Sequence, residues 1–485
     1  MQKLDFTLIL RKIHKFLTQH NNDMKRLLLL LLVALFSNFG AQAQVTTAEI
    51  SGTVVDDQGT PLPGANITAV HTPTGTQYGA VTNFDGDFTL LNLRVGGPYT
   101  ISASFVGFKT SILEDVNLNL GQTFNVDVNM VADATQLDAV IITATRNQII
   151  NSDRTGAETN IGRKELKTLP TISRSASDFY RLEPTASSNG SFGGRNDQFN
   201  NFSLDGSIFN NPFGLDAATP GGQTNAQPVS LDAIDQIQVS TAPYDVTQAG
   251  FTGASVNAVT KSGTNEIEGT VYGFYRNEDM TGDKVGGDDI IVPDLTQAQY
   301  GVSIGAPIIK DKLFVFANFE RDERQDLGSN FVAGRPGLTG SNVSRVSAED
   351  LDFVSNQLST LGYETGPYEG YTFDTESTKG LLKLDWNINQ NHRMAVIYNF
   401  LDASRDLPAN PEAIGRRGPD LTTLQFRNSG YRINNKIDSW LIELNSNFGN
   451  NISNKFQAGY THFDDSRDPF SAPAPPINIQ QDGVR

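Results

Sequence analysis

After Gly263 the sequence alternates apolar and polar residues, and this two-residue period recurs to the end of the chain. Successive side chains of a strand point to opposite faces, so each such run makes one apolar and one polar sheet face. In residues 381–388, Leu382, Leu384, Trp386 and Ile388 share one face, while Leu381, Lys383, Asp385 and Asn387 share the other. Residues 438–448 put Trp440, Ile442, Leu444 and Phe448 opposite Leu441, Glu443, Asn445 and Asn447. Residues 299–308 set Tyr300, Val302, Ile304 and Ala306 against Gly301, Ser303 and Gly305. The change of pattern falls in VNAVTKSGTNEIEGTVYGFYRN, residues 256–277. Up to Lys261 the sequence has the mixed, loop-rich character of a small globular domain. Residues 267–276 read as the first strand of a wall.

A half-buried soluble sheet gives the same alternation. Three features favour a membrane wall. Short turns, at Lys310-Asp311 and residues 389–391, join the strands in pairs, and long polar loops, residues 324–377 and 403–436, follow the pairs. Aromatics gather near strand ends, at Tyr272, Phe274, Tyr275, Tyr398, Phe400, Phe448 and Tyr460. Short turns on one side, long loops on the other and aromatic belts are the marks of outer-membrane barrels.

Composition fits this reading. The 485 residues carry a net charge of −17, which disfavours nucleic acid as a partner. With no cysteine there is no disulfide framework, thiolate metal site or lipid-anchored cysteine. Near the N-terminus Met24, Lys25 and Arg26 precede LLLLLLVALF and Ala41-Gln42-Ala43. A basic start, a short apolar run and an A-x-A end describe a secretory signal over residues 1–43, cleaved after Ala43. Met24 offers an alternative start, because residues 1–23 add nothing that the signal needs.

Residues 44–131 alternate short β-rich runs with turn clusters, the pattern of a small sandwich. Asp85-Gly86-Asp87 reads as a turn rather than a calcium loop, which needs about six oxygens or more. The strings SGTVVDDQGTPLPGANI, TNFDGDFTL and YTISASFVGFKT resemble the carboxypeptidase-regulatory-like domain. That resemblance implies an immunoglobulin- or transthyretin-like sandwich without catalytic residues.

Next comes LDAVIITATRN, residues 137–147. A five-residue apolar or β-branched run flanked by polar sequence reads either as a buried strand or as a detachable one that pairs with another protein's sheet edge. The string Asp138, Ala139, Val140, Ile141, Ile142, Thr143 and Ala144 resembles the TonB box of TonB-dependent receptors. Residues 148–265 mix short helices, at 163–170 and 173–180, with strands and a Gly/Asn-rich loop. They resemble the plug of Oar-like receptors through DGSIFNNPFG and TKSGTN, residues 205–214 and 260–265. Of the SusC branch's plug signature only the DG pair is present, so a SusD-type lipoprotein partner is not expected.

The resemblance implies a mainly β chain. An Ig/transthyretin-like sandwich and an α+β plug precede the first strands, about seven, of an outer-membrane antiparallel barrel over residues 266–485. Barrels of this family have roughly 22 strands. An open sheet in lipid leaves costly unpaired edges, so the chain is expected to be an N-terminal piece that cannot transport alone. Its expected partners are TonB, outer-membrane lipid and an unidentified extracellular ligand. Asp205, Asn210, Asn211 and Phe213 are ligand candidates by their place in the plug string. The acidic surplus suits a cationic or metal-bound ligand, and solvated loops explain it equally well. No cofactor or metal is nominated. The histidines beyond the signal, His71, His392 and His462, are scattered, and no hydrolase or zinc-protease motif occurs, so the chain does not read as an enzyme. The rival class is a surface adhesin or scaffold on the same architecture.

Overall fold

In the computed structural model the described residues are 44–132, 140–143, 157–171, 174–187, 190–211, 219–242, 251–290, 292–409, 419–449 and 452–472. The signal segment lies outside them.

The first unit is a two-layer sandwich. Its strands are β1 (Thr47–Asp56), β2 (Asn66–His71), β3 (Thr76–Val81), β4 (Asp87–Arg94), β5 (Gly96–Ser104), β6 (Ser111–Leu118), β7 (Thr123–Asn125) and β8 (Val128–Met130). One sheet runs β4-β1-β7, with β8 also on β1; the other runs β3-β2-β5-β6 and continues into β9 (Val140–Thr143). Alternation buries one face of each strand, so Ile50, Val54, Ile67, Ala69, Leu93 and Tyr99 fill the space between the layers. Asp85-Gly86-Asp87 forms the tight turn into β4, with Asn83 Oδ1 accepting the amides of Asp85 and Asp87.

The second unit is a mixed five-stranded sheet in the order β10-β13-β14-β11-β12. Its members are β10 (Ala157–Ile161), β11 (Asn201–Leu204), β12 (Ser207–Ile208), β13 (Ile234–Ala242) and β14 (Ser255–Thr260). Two short helices, α1 (Arg163–Thr168) and α2 (Ser177–Tyr180), accompany it, at the positions expected from sequence.

The third unit is a seven-stranded antiparallel sheet with neighbours in chain order. It begins with β15 (Glu268–Asn277). A two-residue ladder, β16 (Lys284–Val285) and β17 (Asp288–Asp289), then precedes β18 (Leu295–Ile309) and β19 (Leu313–Leu327). After the short strands β20 (Val332–Gly334) and β21 (Val343–Ser347) come a helix, α3 (Ala348–Thr360), and then β22 (Thr372–Asn387). The sheet ends with β23 (His392–Leu407), β24 (Tyr431–Phe448) and β25 (Ile452–Pro469). The expected faces hold: Leu382, Trp386, Trp440 and Ile442 are exposed on one side, and Leu381, Lys383 and Asp385 are buried on the other.

Two expectations are corrected. The polar stretches 324–377 and 403–436 are not wholly loops, because β19, β22, β23 and β24 continue into them as charged ladders. Within the first of these stretches lies α3, whose Ser347 side chain accepts the Asp350 amide as an N-cap. Tyr272 and Phe274 do not belong to an outer aromatic belt, since both face the plug, where the Arg174 guanidinium stacks over their rings at 4.7 and 4.1 Å. On the outward face Tyr398, Trp440 and Tyr460 pair in one register row, Trp386 and Phe456 lie lower on the wall, and Tyr275, Tyr300 and Phe448 are also exposed.

Gly263, in the string that closes the plug, passes so near the wall that a Cβ there would lie 2.4 Å from the Val315 carbonyl oxygen. The handover from plug to wall therefore requires a residue without a side chain.

Candidate functional site

The buried side of the wall holds the plug through charge. Lys383 Nζ donates to Thr260 O at 3.1 Å and Thr260 Oγ1 at 3.2 Å and sits 3.4 Å from Asp205 Oδ1. Asp205 in turn accepts from Thr260 N at 3.0 Å and Thr260 Oγ1 at 2.7 Å. Higher on the wall, Glu320 is fully buried, accepts from Ser230 Oγ at 2.7 Å and from the Tyr272 hydroxyl, and pairs with Lys379 Nζ at 2.9 Å. Apolar contacts run alongside: Phe316, Leu381, Leu401 and Ile437 join the plug core around Phe202, Ile237 and Val256.

These contacts place two of the expected ligand candidates. Asp205 lines a cavity at the plug–wall junction and carries its charge into that contact. Its carboxylate is consumed in the lower plug–wall contact, because the β11–β12 turn (φ +48° at Asp205) directs it toward β14 and β22. Asn210 is also structural, accepting from Phe202 N and donating to Asn201 Oδ1, both at 2.7 Å. Asn211 is half-buried next to it, and Phe213 lies outside the described residues. The neighbouring Phe209 is buried against Phe463 of β25, edge to face at 6.4 Å between centroids.

The sandwich closes the short-turn end of the wall. Arg94 pairs with Asp385 at 3.3 Å, Arg393 donates to Asn92 O at 2.5 Å, and Asn92 donates to Asn447 Oδ1 at 2.9 Å. It also grips the plug. Gln236 Nε2 donates to Leu118 O at 3.0 Å while Gln236 Oε1 accepts from Leu120 N at 2.9 Å, as a strand backbone would. A cavity of about 110 Å³ lies where the three units meet, lined by His71, Arg94, Asp235, Thr260 and Lys383 among others. No sequence signal marks this junction, since its residues come from strands far apart in the chain.

Of the detachable segment, Val140–Thr143 form β9. It pairs in parallel with β6, Ser111 to Val140 through Glu114 to Thr143, and so extends the sandwich's outer edge. Asp138, Ala139 and Ala144 lie outside the described residues.

Residues 49–131 match the carboxypeptidase regulatory-like domain and residues 259–337 an outer membrane beta barrel domain. The chain is 25% identical over 406 residues to the TonB-dependent transporter Oar of Myxococcus xanthus, covering 78% of this chain and 36% of that protein. It is 32% identical over 145 residues to the TonB-dependent receptor SusC of Bacteroides thetaiotaomicron, covering 30% of this chain and 13% of that protein. The chain thus spans about a third or less of the length of these relatives. Among solved structures the outer membrane transporter YddB from Escherichia coli aligns at TM-score 0.44 and 14% identity, covering 64% of this chain and 39% of that one. The chain is thus similar to Oar over most of its length, and its wall is that of an outer-membrane barrel-type protein.

Proposed function

We propose that this Oar homologue belongs to an energised outer-membrane transporter, in which a TonB-type partner pulls on residues 138–144 to move the plug. The observation that carries the reading is the β6–β9 ladder. Val140–Thr143 is held through backbone pairing at a sheet edge, on the side of the wall that has the short turns. Short turns face the periplasm in outer-membrane barrels, where an inner-membrane partner can reach. Edge pairing needs an extended segment and free backbone groups, so one edge can replace another. The plug–wall contact is rich in ion pairs and hydrogen bonds, which water can replace as the plug shifts. Energy must come from the partner, because the chain carries no nucleotide-binding motif. In this reading Asp205 and Asn210 take positioning roles within the plug, and the ligand contacts belong to the wall above it.

The test is deletion of residues 138–144 from the full-length protein. Uptake should fall to the passive background while the barrel still inserts and the ligand still binds. Unchanged uptake would defeat the reading and favour an adhesin or scaffold.

A further inference from the structure

One register row of the wall carries arginine on every second strand. Arg276 of β15 pairs with Gln297, which pairs with Arg324 of β19. Arg324 pairs with Thr375, and Thr375 with Arg405 of β23. Arg405 pairs with Ile433, and Ile433 with Arg467 of β25. Paired residues share a sheet face, and this is the face that holds Glu320, Lys379 and the plug core. The row lies two residues beyond Asp322 and Asp465 and four beyond the level where Leu401 and Ile437 touch the plug. It therefore lines the lumen just above the plug, on the side of the long loops. From below, plug residue Arg174 stacks on Phe274, the inward residue next to Arg276.

The row is only partly neutralised. Arg324 is chelated by Asp326, with both hydrogen bonds at 2.7 Å. Asp322 and Asp465, one step lower, accept from Gln297 at 3.2 Å and Asn435 at 2.8 Å. Arg276 donates to Gln297 Oε1 at 2.9 Å, but its buried Nε has no partner among the described residues, and the same holds for Arg174 Nε. Arg405 makes no hydrogen bond or ion pair among the described residues.

We infer that this row is a binding site for a multiply charged oxyanion, a ligand bearing two or more carboxylate or phosphate groups. Arginines on alternate strands stand roughly 10 Å apart, twice the spacing between neighbouring strands. A planar guanidinium binds such groups with paired, charge-assisted hydrogen bonds. A single small anion can engage only one of them, so several charges on one ligand are needed to use the row. The inference rests on the proposed transport reading only in naming its ligand class. It also runs opposite to the cationic ligand that the chain's net charge of −17 suggests, because that charge is spread over the whole surface.

The test is calorimetric titration of the folded chain with tripolyphosphate and with citrate; spermine and maltohexaose serve as cationic and neutral controls. At least one anion should bind, and binding should weaken with salt. The double variant R276Q/R405Q should bind about a hundredfold more weakly, roughly tenfold for each guanidinium removed, whereas R276K/R405K, which keeps the charge but not the fork, should fall between it and the parent. K436Q, on the outer face of the same wall, should bind like the parent. Tighter binding of citrate identifies carboxylates and of tripolyphosphate phosphates. The inference falls if neither anion binds, if spermine binds more tightly, or if the R276Q/R405Q chain, with its β content intact by circular dichroism, binds as well as the parent. Deleting residues 138–144 should leave anion binding unchanged, so a failure of the transport reading is seen separately from a failure of this one.

Discussion

His71 is a buried imidazole whose Nδ1 lies 2.7 Å from Thr74 Oγ1, which in turn lies 2.7 Å from Thr76 Oγ1. Tyr99 packs on the ring at 4.9 Å between centroids. Burial, with the positive charges of Arg94 and Arg163 nearby, lowers its pKa from 6.5 to about 3. Arg163 is itself paired with Asp235 at 2.6 Å. A depressed histidine is neutral in the fold and protonates more readily in the unfolded chain. Its contribution is therefore complete above about pH 6.5 and is lost as pH falls toward 3. The loss is about 1.4 kcal/mol per pH unit in that window. We expect the sandwich to be about 2 kcal/mol less stable at pH 5 than at pH 7, read by hydrogen exchange of the β2 and β5 amides, and His71→Gln to flatten that dependence. Lys383 behaves differently, since removing it alone leaves the buried Asp205 carboxylate without its counter-charge. Lys383→Met should cost about 3–5 kcal/mol by stranding Asp205, and adding Asp205→Asn should recover much of it. Chemical denaturation of the plug checks both values, and a neutral Lys383→Met would show that the pair is dispensable.

At the scale of elements, the wall is legible in the sequence and its full height is not. The runs at 299–308, 381–388 and 438–448 are legible because lipid on one side and plug on the other enforce an apolar–polar alternation. Beyond the hydrocarbon both faces are wet, so RDERQDL at the end of β19 and TFDTEST at the start of β22 pair in register without any apolar signal. Helix α3 is legible in principle, since Ser347 followed by Asp350 is a capping pattern. The string at Asp205 gives only proximity in sequence, whereas its partner Lys383 comes from a distant strand. The arginine row has no sequence signature at all, being a product of register across seven strands. Strand β9 is legible as a strand, but not its seat on β6. That seat can be tested cleanly because the chain has no cysteine. Leu113 and Ile142 are register partners, and neighbouring strands bring Cα atoms within disulfide range. The double variant Leu113→Cys/Ile142→Cys should crosslink in the periplasm, lower uptake by about tenfold or more while oxidised, and regain it with reductant. Absence of the crosslink in a folded, exported chain would show that β9 does not rest on β6.

At the scale of the whole molecule, the sandwich rests on two supports of different kinds. Toward the wall it is held by side chains at the short turns, such as Arg94 with Asp385 and Asn92 with Asn447. Toward the plug it is held by backbone groups of residues 118–120, which Gln236 and Gln238 satisfy as an extra strand would. Val259 of the plug also joins the sandwich core. Both supports are desolvated, since Asp385 is buried and buried backbone groups that lose their partner bear the full desolvation cost. A pull on β9 passes through β6 and the 118–120 loop to β13. Gln236→Leu keeps the apolar bulk but strands Leu118 O and Leu120 N. The expected cost is about 2–3 kcal/mol, which opens the loop roughly 30- to 100-fold more often. Hydrogen exchange at the Leu120 amide should accelerate by that factor while the β22 and β23 amides keep their protection. Unchanged exchange at Leu120 would mean that the wall alone holds the sandwich, and that the plug does not move with it.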